Sequence, residues 1–460
     1  MTVAPRRVLQ VVLLGTGTVS LGNSMLNPAL PSFMQAFSVS AGHAAWVVSG
    51  FMVSMVLAMP LTSYLGQRYG RRRLYLVGMS LYTLGAVMGG VAFSFPQVLM
   101  ARAVQGAASG LVIPLALPLL FKVFPAAERG RVTGVWASVV MLVPAVGPLV
   151  GALMVENGGW RGLFIMQVPL AVLAGAGACR CLPGRDGPSE APVRFDGIGY
   201  GLIVTALLLV MGGGYWMSRG GGLNALAGIV AGLMVGAVLV RHERHHPAPL
   251  LALSIFGRRD FCHGMVVAVL HSVSMFSSLV LIPLWVQVVM GRSALWTGTA
   301  LLCTAVFASG FGRLGGRWLD LHGPRWLIGS GLVVTAAATV ALGRLPAEAS
   351  IVSLCVLMAL RGAGIGLSYM PSTTVALHTL PEALTTQGAA ISNIARRVTA
   401  SLAVVAVSVA IDLLPARGVA LPDILHLLFT LSGLLLLLAV PSALRLTPTP
   451  IARQTGAESR

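Results

Sequence analysis

The chain has 460 residues, of which 56% are apolar and only 10% charged, and its formal net charge is +18. A soluble globular protein carries roughly 25% charged residues, so a mean hydropathy of +0.86 over this length excludes a water-soluble fold and makes the bilayer the natural solvent. The positive charge forms no basic domain or stripe but comes as short arginine clusters between apolar runs, with Lys122 the single lysine, which argues against a nucleic-acid partner.

A membrane helix needs about 20 apolar residues. Arg6 and Arg7 precede an apolar stretch from Val8 to Leu30. It is too long for the core of a secretory signal and is followed by many more such stretches, so it reads as an uncleaved first helix. Further spans are expected at 44–65, 74–94, 97–120, 133–155, 162–182, 198–217, 222–241, 262–289, 296–315, 325–344, 350–374, 386–411 and 422–443. The runs do not alternate as the strands of a closed barrel would, so the prediction is an all-α integral membrane protein with about fourteen spans.

Arginine falls overwhelmingly in alternate connections. The others hold only Arg161, Arg219, Arg292, Arg344 and Arg417. By the positive-inside rule both termini are cytoplasmic. Two polar linkers, Pro183 to Asp196 and Arg241 to Arg259, bracket a helical hairpin. The expected division is a six-helix bundle over 1–182, a linker with two additional helices over 183–255, and a second six-helix bundle with a short tail over 256–460. The two bundles echo each other. Ser63, Gln67, Gly70 and Arg72 match Gly316, Asp320, Gly323 and Arg325 at one constant offset, and Gln105-Gly106 with Gly110 is echoed by Arg361-Gly362 with Gly366. Parallel repeats of six spans are a transporter signature.

Cys179, Cys181, Cys262, Cys303 and Cys355 read as inert thiols. The Cys179-x-Cys181 pair has no second pair or nearby histidine to complete a metal site, so none is expected.

Several segments together resemble a known family. Ser63-Tyr64-Leu65-Gly66-Gln67-Arg68-Tyr69-Gly70-Arg71-Arg72-Arg73 resembles the loop motif of the major facilitator superfamily, and Leu99-Met100-Ala101-Arg102-Ala103-Val104-Gln105-Gly106 its fourth-helix motif. Val143-Pro144-Ala145-Val146-Gly147-Pro148-Leu149-Val150-Gly151 resembles the fifth-helix motif of drug antiporters. Leu21-Gly22-Asn23-Ser24-Met25-Leu26-Asn27-Pro28-Ala29-Leu30-Pro31, and Pro283-Leu284-Trp285-Val286-Gln287 with Gly291, resemble segments of its fourteen-span drug:proton antiporter branch. The resemblance covers roughly residues 8 to 443 and implies a major facilitator fold of two six-helix bundles plus two central helices. It also implies proton-coupled efflux of drugs or other small amphipathic molecules by alternating access.

The resemblance assigns proton coupling and conformational change to Arg102, Gln105, Gly106, Gly147, Pro148 and Gly151. It assigns opening and closing of the cytoplasmic side to Gly70, Arg71, Arg72, Gly316, Asp320, Gly323 and Arg325. From the residues themselves, Gly70 permits a tight turn, Pro148 kinks its helix, and an arginine inside a span, as at Arg102, is costly unless paired or hydrated. One reading of Arg102 is functional; the other is a structural arginine bonding carbonyls of the kinked first helix. The embedded polar residues Asn23, Asn27, Gln167, His271, Gln287, Arg361 and Asn393 are candidates to line a substrate cavity, and Arg396 and Arg397 read as snorkelling or interhelical partners.

The informative departure is acid. The family's first-helix and loop motifs carry aspartates where this chain has Gly22 and Gln67, and none of its thirteen carboxylate side chains is expected at mid-membrane. A cation exporter needs a buried carboxylate, so the expected substrates are neutral, amphipathic or anionic, with the proton on Glu156, Asp412 or His271. No catalytic residue, metal or cofactor is expected, and no nucleotide-binding loop appears. The expected partners are a small-molecule substrate, protons and the lipid bilayer; the chain is expected to be monomeric and to lie in a bacterial inner membrane. Rival readings are a uniporter or symporter for an anionic metabolite and a non-transporting scaffold or sensor on the same fold. A membrane-embedded enzyme would need clustered histidine, acidic or serine residues within the spans, such as H-E-x-x-H, and none is expected there.

Overall fold

The structure, a computed structural model, describes residues 5–184, 195–218, 221–246, 253–380, 382–415 and 418–447. Among these every element is helical. The first half comprises α1 (Pro5–Ser24), a single 3-10 turn (Asn27–Ala29), α2 (Leu30–Phe37), α3 (Ala41–Tyr69), α4 (Arg71–Gly90), α5 (Phe95–Phe121) and α6 (Ala126–Cys181). A hairpin of α7 (Gly197–Ser218) and α8 (Gly222–His245) follows. The second half holds α9 (Arg259–Pro283) running into a π-helical turn (Leu284–Val289), α10 (Ala294–His322), α11 (Pro324–Leu342), α12 (Ile351–His378), α13 (Glu382–Leu413), α14 (Leu421–Leu437) and the short α15 (Val440–Leu444).

Local chemistry sets the boundaries. The Ser40 hydroxyl accepts from the His43 amide at the start of α3, and Ser94 with Gln97 forms a reciprocal capping box on α5. Pro28 and Pro31 cannot continue the hydrogen-bond ladder of α1, which breaks into the 3-10 turn before them. Between α3 and α4 the chain turns on Gly70 at φ 92°, and between α10 and α11 on Gly323 at φ 80°. Both values lie where a side chain is strained and glycine is not, so the matched glycines of the two halves do the same backbone work.

Twelve stretches among the described residues are long and apolar enough to cross a membrane, where the sequence predicts fourteen. Two features account for the difference. Helix α4 opens on Arg71, Arg72 and Arg73 and holds four glycines and two tyrosines, so it is too weakly apolar to count. The spans expected at 133–155 and 162–182 follow each other without a loop within α6 and count once; they are two helical segments meeting at a kink at Gly159, whose φ of 66° and ψ of 179° leave the helical region.

Packing repeats between the halves. In the first, α3 and α4 pack on α5, α1 packs on the early part of α6 and α4 on its late part; in the second, α10 and α11 pack on α12, α9 packs on α13 and α11 on α14. Gly106 and Gly110 bring α5 against the carbonyls of Phe51 and Met55 on α3, and Gly362 and Gly366 bring α12 against those of Thr304 and Ala308 on α10; a methyl group at any of the four would collide with backbone. Such small residues let membrane helices approach closely. The halves meet where α3 faces α13 and α6 faces α10, with Gly298 seated on Leu149 and Pro148. The hairpin lies at the periphery: α8 buries only Ala225, Gly232 and Glu243. Large apolar side chains such as Leu84, Leu208, Leu233, Val352 and Leu434 face outward, as lipid contact requires.

The interior is not uniform along the helices. Met25, Phe33, Val47 and Phe51 of the first half share one apolar cluster with Val280, Trp285, Val404, Ile411 and Phe429 of the second. Toward the end bearing the basic connections the core divides. Val8, Leu74, Leu119, Phe124 and Leu182 pack within the first half, and Leu319, Leu327, Val375 and Leu446 within the second. The two halves are thus joined at the end opposite the basic one.

Candidate functional site

Helix α5 carries Arg102 into the first half, where it is 1% exposed. A buried guanidinium has five N–H donors to satisfy. Nε donates to the Val47 carbonyl of α3 at 3.1 Å, and Nη1 to the Gly22 carbonyl of α1 at 3.2 Å and to Gln105 Oε1 at 2.9 Å. The guanidinium also sits 4.1 Å from the centroid of the Phe51 ring, an attractive cation–π geometry. One turn along α5, Gln105 Nε2 donates to Gln167 Oε1 of α6 at 3.0 Å, and Tyr82 Oη of α4 donates to the same oxygen at 2.6 Å. Gln167 is itself anchored through Nε2 to the Leu163 carbonyl at 2.8 Å. One network therefore ties α1, α3, α4, α5 and α6, and it contains a cation and no carboxylate.

Gly22 is part of this arrangement. A side chain there would collide with Tyr82 Oη and Gln167 Oε1. The absent acid of the first-helix motif is thus replaced by space that a phenol and an amide occupy. The structure brings Arg102, Gln105 and Gln167 together as a site; it also adds Tyr82 and Phe51, which sequence reasoning missed. A tyrosine in a span two turns from any named motif carries no distinguishing signal.

Gly147 and Gly151 face the broken end of α1. A Cβ at Gly147 would meet Ser24 Oγ, and one at Gly151 the Met25 carbonyl. Pro148 lies on the same stretch against Gly298 of α10, so this segment of α6 contacts both the first helix and the opposite half.

The second half has its own buried cation. Arg361 of α12 is 2% exposed and donates from Nε to Thr339 Oγ1 at 3.2 Å and from Nη2 to the Ser274 carbonyl at 3.0 Å. His271 Nε2 lies 2.5 Å from Ser368 Oγ, and its ring meets Tyr369 edge-on at 5.7 Å. Arg396 donates to Tyr369 Oη at 3.0 Å and to Asn393 Oδ1 at 2.9 Å. His271 and Asn393 therefore meet through Tyr369, another residue the sequence reading missed. Arg396 and Arg397 make the interhelical contacts expected of them, Arg397 reaching Met55 Sδ of the first half at 3.4 Å.

Three candidates fall elsewhere. Gln287 donates to the Pro28 carbonyl at 2.8 Å and to Thr297 Oγ1 at 3.1 Å, so it joins the two halves at their closed end. Asn27 is buried with neither amide atom hydrogen-bonded, and Asn23 is half-buried beside it. At the same end Glu156 Oε1 accepts from the Leu295 amide at 2.9 Å, and His43 lies 3.9 Å from Asp412, whose side chain is 5% exposed.

At the basic end Arg72 donates to the Cys179 carbonyl, and Arg325 donates from Nε to the Leu446 carbonyl at 2.5 Å. Arg72 thus ties its turn to the end of α6, and Arg325 ties its turn to the segment just after α15. Gly316 has open space around its Cβ position, and Arg71 is half-buried. The side chain of Asp320 lies outside the described residues.

The basic end also holds a cluster that sequence reasoning passed over. Asp196 caps α7: its Oδ1 accepts from the Gly199 amide at 2.8 Å. Burial pushes its carboxyl up, but the Gly199 amide and His242 outweigh burial and hold it below the usual carboxylate range. Asp196, His242 and His246 bring one ligand atom each within 4.8 Å of one another. The signal was present in the text, since His242-Glu243-Arg244-His245-His246 has H-E-x-x-H spacing, which puts both outer histidines on one helix face. This corrects the expectation that no H-E-x-x-H occurs: the motif lies just past the span expected at 222–241, at the end of α8.

The model of the family described as "Major Facilitator Superfamily" matches residues 12–404. An uncharacterised transporter of the same type, YhcA of Bacillus subtilis (strain 168), is 28% identical over 403 residues, covering 86% of this chain and 75% of its own. The lincomycin resistance protein LmrB of Listeria monocytogenes serovar 1/2a is 26% identical over 382 residues, covering 82% and 80%. Among solved structures, a bacterial homologue of the human lysosomal transporter Spinster, in an inward-facing and unoccupied conformation, superposes with a TM-score of 0.68 at 14% identity over 99% of this chain and 98% of that one.

Proposed function

The chain belongs to the major facilitator superfamily and is a multi-pass membrane transporter rather than an enzyme, and on that premise we propose that it exports small neutral or anionic amphipathic molecules across a bacterial inner membrane in exchange for protons. Export is supported by the likeness to a lincomycin resistance protein and by the way Gly147 and Gly151 seat α6 on the first helix. The observation that carries the charge preference is the pair of buried arginines, Arg102 and Arg361, with no carboxylate beside either among the described residues. In a low-dielectric interior a fixed cation repels a second cation and attracts an anion or a hydrogen-bond acceptor.

We read α6 as two crossings that turn at Gly159, since 56 residues at 1.5 Å each are about 84 Å long, far beyond a hydrocarbon core of about 30 Å. Counting α4 as well gives fourteen crossings with both termini cytoplasmic, and the matched helix pairings of the two halves support the count. Labelling of Asn157→Cys by a membrane-impermeant maleimide in intact cells checks it: reaction is expected, and protection except in inverted vesicles would restore a lower count. With this orientation the joined end faces outward and the divided core faces the cytoplasm, an inward-facing state of an alternating-access cycle.

The proton is placed on Asp412. It lies at the contact of α3 with α13, near His43 and against Gly42, so parting of the outer ends would open it to external water. The experiment is accumulation of neutral, anionic and permanently cationic fluorescent compounds in cells lacking their own efflux pumps, with and without a protonophore. Neutral and anionic compounds should accumulate less in cells carrying the transporter, and the protonophore should abolish the difference. Asp412→Asn should retain downhill export but lose sensitivity to the protonophore. Equal accumulation of every class would overturn energised export.

A further inference from the structure

The hairpin's two ends at the basic face, the start of α7 and the end of α8, are held by more than packing. Asp196 uses Oδ1 as a helix cap and directs Oδ2 at two imidazoles, 2.9 Å from His242 Nε2 and 3.8 Å from His246 Nδ1. The two rings lie 5.0 Å apart, 33° from parallel. Glu243 is 3% exposed, and its Oε1 and Asp196 Oδ2 both crowd the position a Cβ of Gly199 would take. One buried carboxylate and two imidazoles thus converge, and Glu243 approaches the same carboxylate across the room that Gly199 leaves. Tetrahedral zinc with bonds of about 2.0 Å sets its ligand atoms about 3.3 Å apart, which is the scale of these separations. The i, i+4 spacing of the histidines on α8 is that of helical metal ligands.

We propose that Asp196, His242 and His246 bind a zinc-class divalent transition-metal ion, with Glu243 beside it. The ion closes the basic end of the hairpin, joining the first residue before α7 to the last turn of α8. Its effect reaches the transporter core because α7 touches both halves: Tyr200 Oη donates to the Leu57 carbonyl of α3 at 3.1 Å, and Gly214 packs on Val405 of α13. Neutral nitrogen and oxygen donors suit zinc over magnesium or calcium, which take oxygen ligands. The assignment is independent of what is transported.

The test uses the full chain, purified in detergent through a tag that contains no histidine, and Zn2+ as the probe. Zinc is titrated in competition with a chromophoric chelator, and thermal unfolding is followed with and without the ion. One tight zinc per chain is expected, together with a rise in Tm. His246→Ala and Asp196→Asn, the second of which keeps a capping oxygen, should each weaken binding at least about tenfold and remove the rise in Tm. His245→Ala should change neither, since that ring instead contacts the Arg241 carbonyl. Should Asp196→Asn fail to fold, His246→Ala decides alone, because that side chain is 30% exposed and tolerates truncation. Wild-type zinc affinity in His246→Ala, or no zinc-dependent Tm in the parent chain, would leave an ordinary histidine–aspartate hydrogen bond and overturn the site.

Discussion

Arg102→Ala is expected to reduce export to background and to lower thermal stability, whereas Arg102→Lys should preserve most of the stability and still slow export about tenfold, a barrier change of about 1.4 kcal/mol. The asymmetry follows from shape. The guanidinium spans α1 and α3 at once through Gly22 and Val47 while holding Gln105. A lysine ammonium keeps the charge but is a point donor without the planar fork. Alanine removes three hydrogen bonds, each worth about 1 kcal/mol between membrane helices, so about 3 kcal/mol of destabilisation is expected. Export from inverted vesicles, beside thermal unfolding of the purified variants, separates the two effects. Wild-type export by Arg102→Lys would show that only the charge matters; wild-type export by Arg102→Ala would remove the network from the transport cycle.

Restoring the acid of the first-helix motif should do harm rather than create a cation exporter. Gly22→Asp drives a side chain into Tyr82 Oη and Gln167 Oε1. Neither can swing away freely, since Gln167 is bonded to Tyr82, Gln105 and Leu163 and Tyr82 is fully buried. Overpacking of a filled interior costs about 1–3 kcal/mol, and the protein should unfold at lower temperature and export poorly. Tyr82→Phe removes the hydroxyl that sits nearest the new side chain, so the double variant Gly22→Asp, Tyr82→Phe should regain part of the lost Tm. A Gly22→Asp protein that is as stable as the parent and exports quaternary ammonium compounds would show that the site has room for the acid after all.

Much of this was legible in the text of the chain, and the limits have physical causes. The family, the broken first helix, the two glycine turns and the close-packing glycines all express local backbone needs: Gly70 and Gly323 adopt positive φ, and Gly106 and Gly362 each meet a carbonyl on the neighbouring helix. Local needs leave local marks. Arg102 was visible because charge in a span is rare, and Gln105 and a first-helix carbonyl were named as its partners; the Val47 carbonyl and the Phe51 ring were not. Tyr82 and Gln105 both donate to Gln167 across sequence separations of tens of residues, which no periodicity reports. The span count turns on a single backbone position. Composition alone separates 133–155 from 162–182 at a polar junction, whereas the backbone there departs from helix only at Gly159. Gln287 read as a cavity residue because it is polar in an apolar run; its actual partner, the Pro28 carbonyl, belongs to the other half. His242 and His246 were overlooked because a basic linker invites a reading of charge rather than of spacing.

On the proposed function, a buried, acid-free arginine network selects against cations. The most direct measurement is transport in proteoliposomes of purified protein under an imposed pH gradient, using a matched pair of substrates: an amphipathic neutral compound and its quaternary ammonium analogue. Gradient-dependent movement of the neutral member, with the permanent cation at the level of protein-free vesicles, is the predicted result. Transport of the quaternary ammonium member at an equal or greater rate would contradict it, and would mean that a carboxylate such as the buried Asp412, rather than the arginines, sets the charge preference.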